Sequence, residues 1–282
     1  MEKTYSIAGH IVRFHGKELT EALASLNGFT PFLYVNQSKI TGEFHLTAEE
    51  APQIKTPFYE ADIEGVHQSL SRYEKGFVLH IASSQDKQLA LWTDKDQVYL
   101  HGSLDGQLLR FACWIGFGLI ALPYQTIAIH TSAIIYHDTA VLFLGESGTG
   151  KSTHTRLWCE HIPGSALLND DSPILRITHG KPYLYGSPWS GKTPCYKNEC
   201  YPVAACVRLS QAPHNRITRL PALQAYASLH PSCPPAFAYD ENLYEGICSI
   251  LDPLLLQVPS FHLECLPDAA AARLSCKTIF GL

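Results

Sequence analysis

The stretch FLGESGTGKSTHTRLW, Phe143 to Trp158, decides how this 282-residue chain is read. Its apolar run ends at Leu144, and Gly145-Glu146-Ser147-Gly148-Thr149-Gly150-Lys151-Ser152 then fits G-x-x-x-x-G-K-[ST] at every fixed position. A predicted strand, TAVLFLG, leads in. A predicted helix, KSTHTRLWCEHI, leads out with Leu157 and Ile162 facing inward, and Pro163 and Gly164 stop it. In such a strand-loop-helix unit the glycines let successive N–H groups converge on phosphate oxygens, and the helix adds its positive end. The pattern implies ATP held by this loop, with Lys151 on the β- and γ-phosphates and the Ser152 hydroxyl on Mg²⁺. A flexible Gly-Ser connector is the alternative, and it leaves the flanking strand and helix unexplained.

Working outward, only that one helix separates Lys151 from the run ALLNDD, so Asp170 and Asp171 are expected beside the loop. One carboxylate in such a pair serves the metal, directly or through water, and its neighbour accepts a proton from an attacking hydroxyl. The sequence does not divide these roles, and a cap or turn before SPILRI remains the other reading. Upstream, TIAIHTSAIIY reads as one strand, separated from TAVLFLG by a turn at His137, Asp138 and Thr139. Downstream, YGSPWSGKTP is rich in small residues and reads as a flexible loop whose Lys192 could neutralise charge on a transferring phosphoryl group. A connector with a packed Trp189 is the bland reading. For His154 and Arg156 on the helix after the loop, packing or surface roles are the default.

The first hundred residues offer short β-branched and aromatic runs, YSIAGHIVRF, PFLYV, FVLHIA, LALWT and QVYLHG, which predict antiparallel strands and hairpins. Helices are expected over residues 107–122, 220–229, 242–256 and 268–278, and SFHLECL reads as a strand. The expected fold is α/β (α+β overall), with a β-rich unit over residues 1–105 and a nucleotide-binding unit over 106–282.

Composition limits the partners. A net charge of −5 without long basic runs argues against nucleic acid. Nine cysteines at scattered spacings suit a reducing cytoplasm, and Cys195, Cys200 and Cys206 lack the spacing of a zinc ribbon. The N-terminus has no apolar core of a signal peptide. FACWIGFGLIAL falls short of the roughly 20 residues of a membrane span, so a buried helix and no membrane partner are expected.

GESGTGKST with NDD close behind resembles the nucleotide sites of HPr kinase/phosphorylase and of ATP-dependent phosphoenolpyruvate carboxykinase. IHTSAII, LLNDDSPIL, YGSPWSGK, PVAACVRLSQAPHNRI and FHLECLP extend the resemblance to HPr-kinase-like proteins over about residues 126–282. That resemblance implies a P-loop kinase core, with Lys151 and Ser152 as the loop lysine and metal-binding hydroxyl. It implies Asp170 and Asp171 for metal and acceptor activation, and His130 as a histidine facing the γ-phosphate. Thr153 follows the carboxykinase pattern in place of the acidic residue common in HPr kinases, so HPr is not implied as the acceptor. The activity expected is phosphoryl transfer from ATP to a hydroxyl on a protein, peptide or small molecule, with a homo-oligomer possible. A nucleotide-binding sensor without turnover and carboxykinase-like chemistry are the alternatives; carboxykinases are far longer chains.

Overall fold

The computed structural model describes residues 1–63, 65–191 and 193–281. The fold is mixed α+β, with six α-helices and two mixed sheets among the described residues. Two units partition the chain. The first comprises Met1–Tyr124 and Ala236–Tyr244, the second Gln125–Pro235 and Glu245–Leu282.

The first unit contains β1 (Glu2–Ile7), β2 (His10–His15), α1 (Lys17–Ala24), β3 (Gly42–Leu46), β4 (Tyr59–Ile63), β5 (Val66–Tyr73), β6 (Gly76–Ser83), β7 (Gln88–Asp94), β8 (Gln97–Gly102) and α2 (Gly106–Ala121). Its sheet runs β1-β2-β3-β8-β7-β6-β5-β4. Ala8 and Gly9 both take positive φ between β1 and β2, the two-residue geometry whose twist matches paired strands. The expectation of purely antiparallel pairing is corrected here, because β3 lies parallel to both β2 and β8. PFLYV is not a strand either: Pro31, fixed in φ, sits in a 3₁₀ turn over Thr30–Phe32, and Leu33 makes a single bridge to Tyr5.

Alternation gives this sheet two different faces. Phe14, Phe44, Val98 and Leu91 are buried on one face, which α2 covers. Gly116 of α2 lets the helix approach, since a Cβ there would stand 2.9 Å from both Phe44 and Leu91. The segment Gly106–Tyr124 is long and apolar enough to cross a membrane, yet 67% of that window is buried inside the structure. Its packing on β6 and β7 puts α2 with the first unit, whereas the sequence division at 105/106 had grouped it with the second.

The second unit contains β9 (Thr126–Ala128), β10 (Thr131–Tyr136), β11 (Thr139–Leu144), α3 (Lys151–His161), β12 (Ala166–Asp171), β13 (Ile174–Thr178), β14 (Lys181–Tyr185), β15 (Cys200–Gln211), β16 (Arg216–Arg219), α4 (Ala222–Leu229), most of α5 (Glu241–Gln257), β17 (Ser260–Cys265) and α6 (Ala269–Phe280). Its main path is β12-β10-β11-β15-β14-β13-β9, with β17 parallel to β15 and β16 beside β17. The expected single strand TIAIHTSAIIY breaks in two. Ile129 N–H donates to Pro173 O at 3.0 Å and His130 N–H to Ser232 O at 2.7 Å, which takes both groups out of the ladder.

On one face of this sheet Ile134, Phe143, Val207 and Leu263 pack with Leu157 and Trp158 of α3 and Ala272 and Cys276 of α6. A polar knot lies inside. Trp158 Nε1 donates to Ser275 Oγ at 2.9 Å and lies 3.2 Å from His154 Nε2. Burial pushes His154 down from 6.5 to about 4, so the ring is neutral in the folded protein at pH 7. His154 therefore packs, while Arg156 is exposed.

The unfolded chain protonates this histidine near pH 6.5 and the folded chain only near 4, so the unfolded state binds more protons between those values. Stability contributed by the neutral ring is thus full above about pH 6.5 and falls as pH drops towards 4, by on the order of 3 kcal/mol. Urea unfolding at pH 7 and pH 4.5 is expected to show a smaller acid loss in His154→Gln than in the wild type. Equal losses in both would assign the acid sensitivity elsewhere.

Candidate functional site

The glycine-rich loop leaves the sheet at Leu144 and enters α3 at Lys151. Gly148 and Gly150 have φ of +84° and +102°, which L side chains rarely adopt, and a Cβ on Gly145 would strike Thr149 Oγ1. Thr149 closes the loop on itself, its N–H and Oγ1 both donating to Glu146 O. Gly150 provides no side-chain cap to α3, and the first turn holds no acid, so the positive end of the helix opens onto the loop.

Lys151 folds back over this loop. Its Nζ donates to Gly145 O at 2.7 Å and Glu146 O at 3.2 Å, and stands 3.0 Å from His130 Nε2. An ammonium can only donate, so Nε2 accepts and the His130 proton sits on Nδ1, 3.3 Å from Asp171 Oδ1. A relay Lys151–His130–Asp171 results. Burial pulls the Lys151 ammonium below its usual range, Asp171 and Asp170 pull it back up, and Arg208 lowers it further.

Register sets the acidic pair beside the loop. In the antiparallel pairing of β10 and β12, Thr131 faces Asp171 and Ser132 faces Asp170, while Ser132 faces Phe143 across β11. Ser152 Oγ accordingly donates to Asp170 Oδ1 at 2.9 Å. Asp170 is nearly buried, and Asp171 is the more open, with φ at +144°, a backbone region costly for any residue but glycine. Such strain persists only where the surroundings impose it, and here they do. Gly191 N–H donates to Asp170 O at 2.6 Å, Asp171 bridges Ser190, and a Cβ on Gly191 would crowd Asp171 Cβ at 3.2 Å.

The described part of SPWSG is therefore no flexible loop, as its composition had suggested. Ser187, Trp189 and Ser190 are buried, and Asn169 clamps the first two. Its Nδ2 donates to Trp189 O at 3.0 Å and Cys195 O at 3.2 Å, and its Oδ1 accepts from Ser172 N–H at 3.0 Å. Hydrogen bonding to main-chain groups replaces the large side chains that a packed segment usually needs. Lys192 lies outside the described residues.

The structure thus gathers His130, Lys151, Ser152, Asp170 and Asp171, with Gly145 to Gly150 as the cradle and Thr153 one residue further along α3. Two contributors escape sequence reasoning. Asn169 reads as part of an acidic turn until its partners are seen. Arg208, on β15 opposite Leu144, donates to Ser228 O at 3.3 Å and pairs with Glu146 at 3.5 Å. The one available signal was a single charge inside the apolar run PVAACVRL. Chemically, a hydroxyl and two carboxylates make a hard oxygen set suited to Mg²⁺, and Lys151 and Arg208 add positive charge on the loop side. No family model matches the chain, and no curated protein matches its sequence.

Asn169→Ala would remove the acceptor of the buried Ser172 N–H, the donor to Cys195 O and one of two donors to Trp189 O. A loss on the order of 3 kcal/mol is expected in denaturant unfolding, well beyond that of an exposed Asn→Ala change. A loss below about 1 kcal/mol would show that the clamp is not a major source of stability.

Proposed function

We propose that the protein is an ATP- and Mg²⁺-dependent phosphotransferase that moves the γ-phosphoryl group to a hydroxyl acceptor, and that its second unit is a P-loop core of the HPr kinase/carboxykinase type acting in the cytoplasm. One observation carries the reading: the loop lysine and loop hydroxyl each reach a different member of the acidic strand, Lys151 through His130 to Asp171 and Ser152 directly to Asp170. A nucleotide-binding loop kept for a structural purpose has no use for that double connection.

The chain's own groups divide the work. The Lys151 ammonium exchanges its two carbonyl partners for phosphate oxygens, which are stronger acceptors. Mg²⁺, when bound, offsets charge on the phosphates, and Ser152 and Asp170 are the residues that would hold it. Asp171, more open and tied to His130, takes the proton of the acceptor hydroxyl as its oxygen bonds to phosphorus and the bond to the β-phosphate bridging oxygen breaks. His130 holds that carboxylate in place through Nδ1–H. Arg208 adds positive charge on the loop side.

Incubation of the protein with γ-labelled ATP, Mg²⁺ and cell extract is expected to label an acceptor, and Lys151→Ala to abolish labelling and sharply weaken nucleotide binding in calorimetry. Unchanged affinity in that variant would overturn the loop assignment. The two aspartates are expected to separate kinetically. Asp170→Asn should raise the Mg²⁺ concentration needed for half-maximal rate, whereas Asp171→Asn should lower kcat by about a hundredfold or more with nucleotide binding retained. Near-normal rates in both would remove the pair from the mechanism, and nucleotide binding with no turnover in the wild type under any acceptor supply would favour a sensor.

A further inference from the structure

The face of the first sheet turned away from α2 carries a cluster that phosphoryl transfer does not use. The parallel register of β2 and β3 sets Arg13 opposite Glu43 and His15 opposite His45. The two imidazoles stack with centroids 4.4 Å apart and planes within 5°. His15 Nε2 is 3.6 Å from Glu43 Oε1, and His45 Nε2 is 4.0 Å from Glu43 Oε2. Both rings therefore turn the same nitrogen to one carboxylate. His15 Nε2 is buried and has no hydrogen-bond partner among the described residues. Behind it, Glu2 Oε2 stands 3.6 Å from His15 Nδ1, the position from which a carboxylate fixes a ligand imidazole. Gln97 Oε1 accepts a hydrogen bond from His45 Nε2 at 2.8 Å, a proton that a bound ion would displace, and brings a further oxygen from β8.

Charge points the same way. Among the described residues the cation that pairs with Glu2 and Glu43 is Arg13, at 4.0 and 3.7 Å, so with neutral imidazoles these groups retain one negative charge. We propose that His15, Glu43 and His45 form a binding site for a divalent transition-metal ion of the zinc class. One donor atom from each lies within 4.8 Å of the others. A tetrahedral site with bonds of about 2.0–2.1 Å needs donor-to-donor edges of about 3.3 Å, so small side-chain rotations close it. Two imidazoles and a carboxylate suit zinc, nickel or copper, and the nitrogens disfavour magnesium and calcium. Gln97 or water completes the shell. A bound ion would tie β2 to β3, and to β8 through Gln97, fastening both parallel pairings of this sheet.

The test is zinc titration of the chelator-treated full chain by calorimetry, with cobalt absorption to identify the ligand atoms. One equivalent is expected to bind, with an oxygen- and nitrogen-type cobalt spectrum and a raised Tm. His15→Ala and His45→Ala should each weaken binding at least tenfold, and Glu43→Gln should do so by a similar factor. Asp170→Asn should bind zinc as the wild type does. Failure to take up zinc, wild-type affinity in both histidine variants, or a cobalt spectrum dominated by thiolate charge transfer would each overturn the site. Should His15→Ala not fold, His45→Gln decides, and wild-type zinc affinity in that variant overturns the site.

Discussion

The register of one strand governs the second unit. β10 lies between β11, which delivers the glycine-rich loop, and β12, which delivers the acidic pair, so Ser132 faces Phe143 on one side and Asp170 on the other. A slip of one residue in either pairing would turn every side chain to the opposite face of the sheet. Asp170 would then lose Ser152. Buried Ala133 and Ile134 on opposite faces make such a slip expensive, and the two-residue turn at His137 and Asp138, both at positive φ, fixes the β10–β11 register at its other end.

That register also explains why β10 has to start late. Were residues 126–136 one continuous strand, as their apolar pattern suggests, His130 would sit within a ladder. The break at Ile129 and His130 sends their N–H groups to Pro173 and Ser232 instead, and His130 gains the freedom to span Lys151 and Asp171. The cost of interrupting a strand is met by these two bonds, so no main-chain donor is lost to the change in direction.

Local chemistry was the legible part of the sequence. The Gly145–Ser152 loop, the short distance from Lys151 to Asp170, and helices such as α2 and α6 are encoded by residues close together in the chain. What escaped depends on distant residues. Alternation in GEFHL is the same for parallel and antiparallel neighbours, so the placement of β3 between β2 and β8 had no local sign. SPWSG has the composition of a mobile loop and is held by the amide of Asn169, a residue that no periodicity marks. Arg208 belongs to the loop's surroundings only because β15 runs parallel to β11.

The return of residues 236–244 to the first unit bears on biosynthesis. Phe237 is buried and lies in contact distance of Gly118, and Arg72 makes a bidentate pair with Asp240, 168 positions later. A chain emerging from the ribosome at about 5–20 residues per second carries these partners only after most of the intervening unit has been translated. The N-terminal sheet must therefore wait, incompletely covered, while the segment that encloses the lysine and aspartates is made. Nascent chains stalled just before and just after this return would differ in how well the first unit resists protease, although both contain its whole sheet.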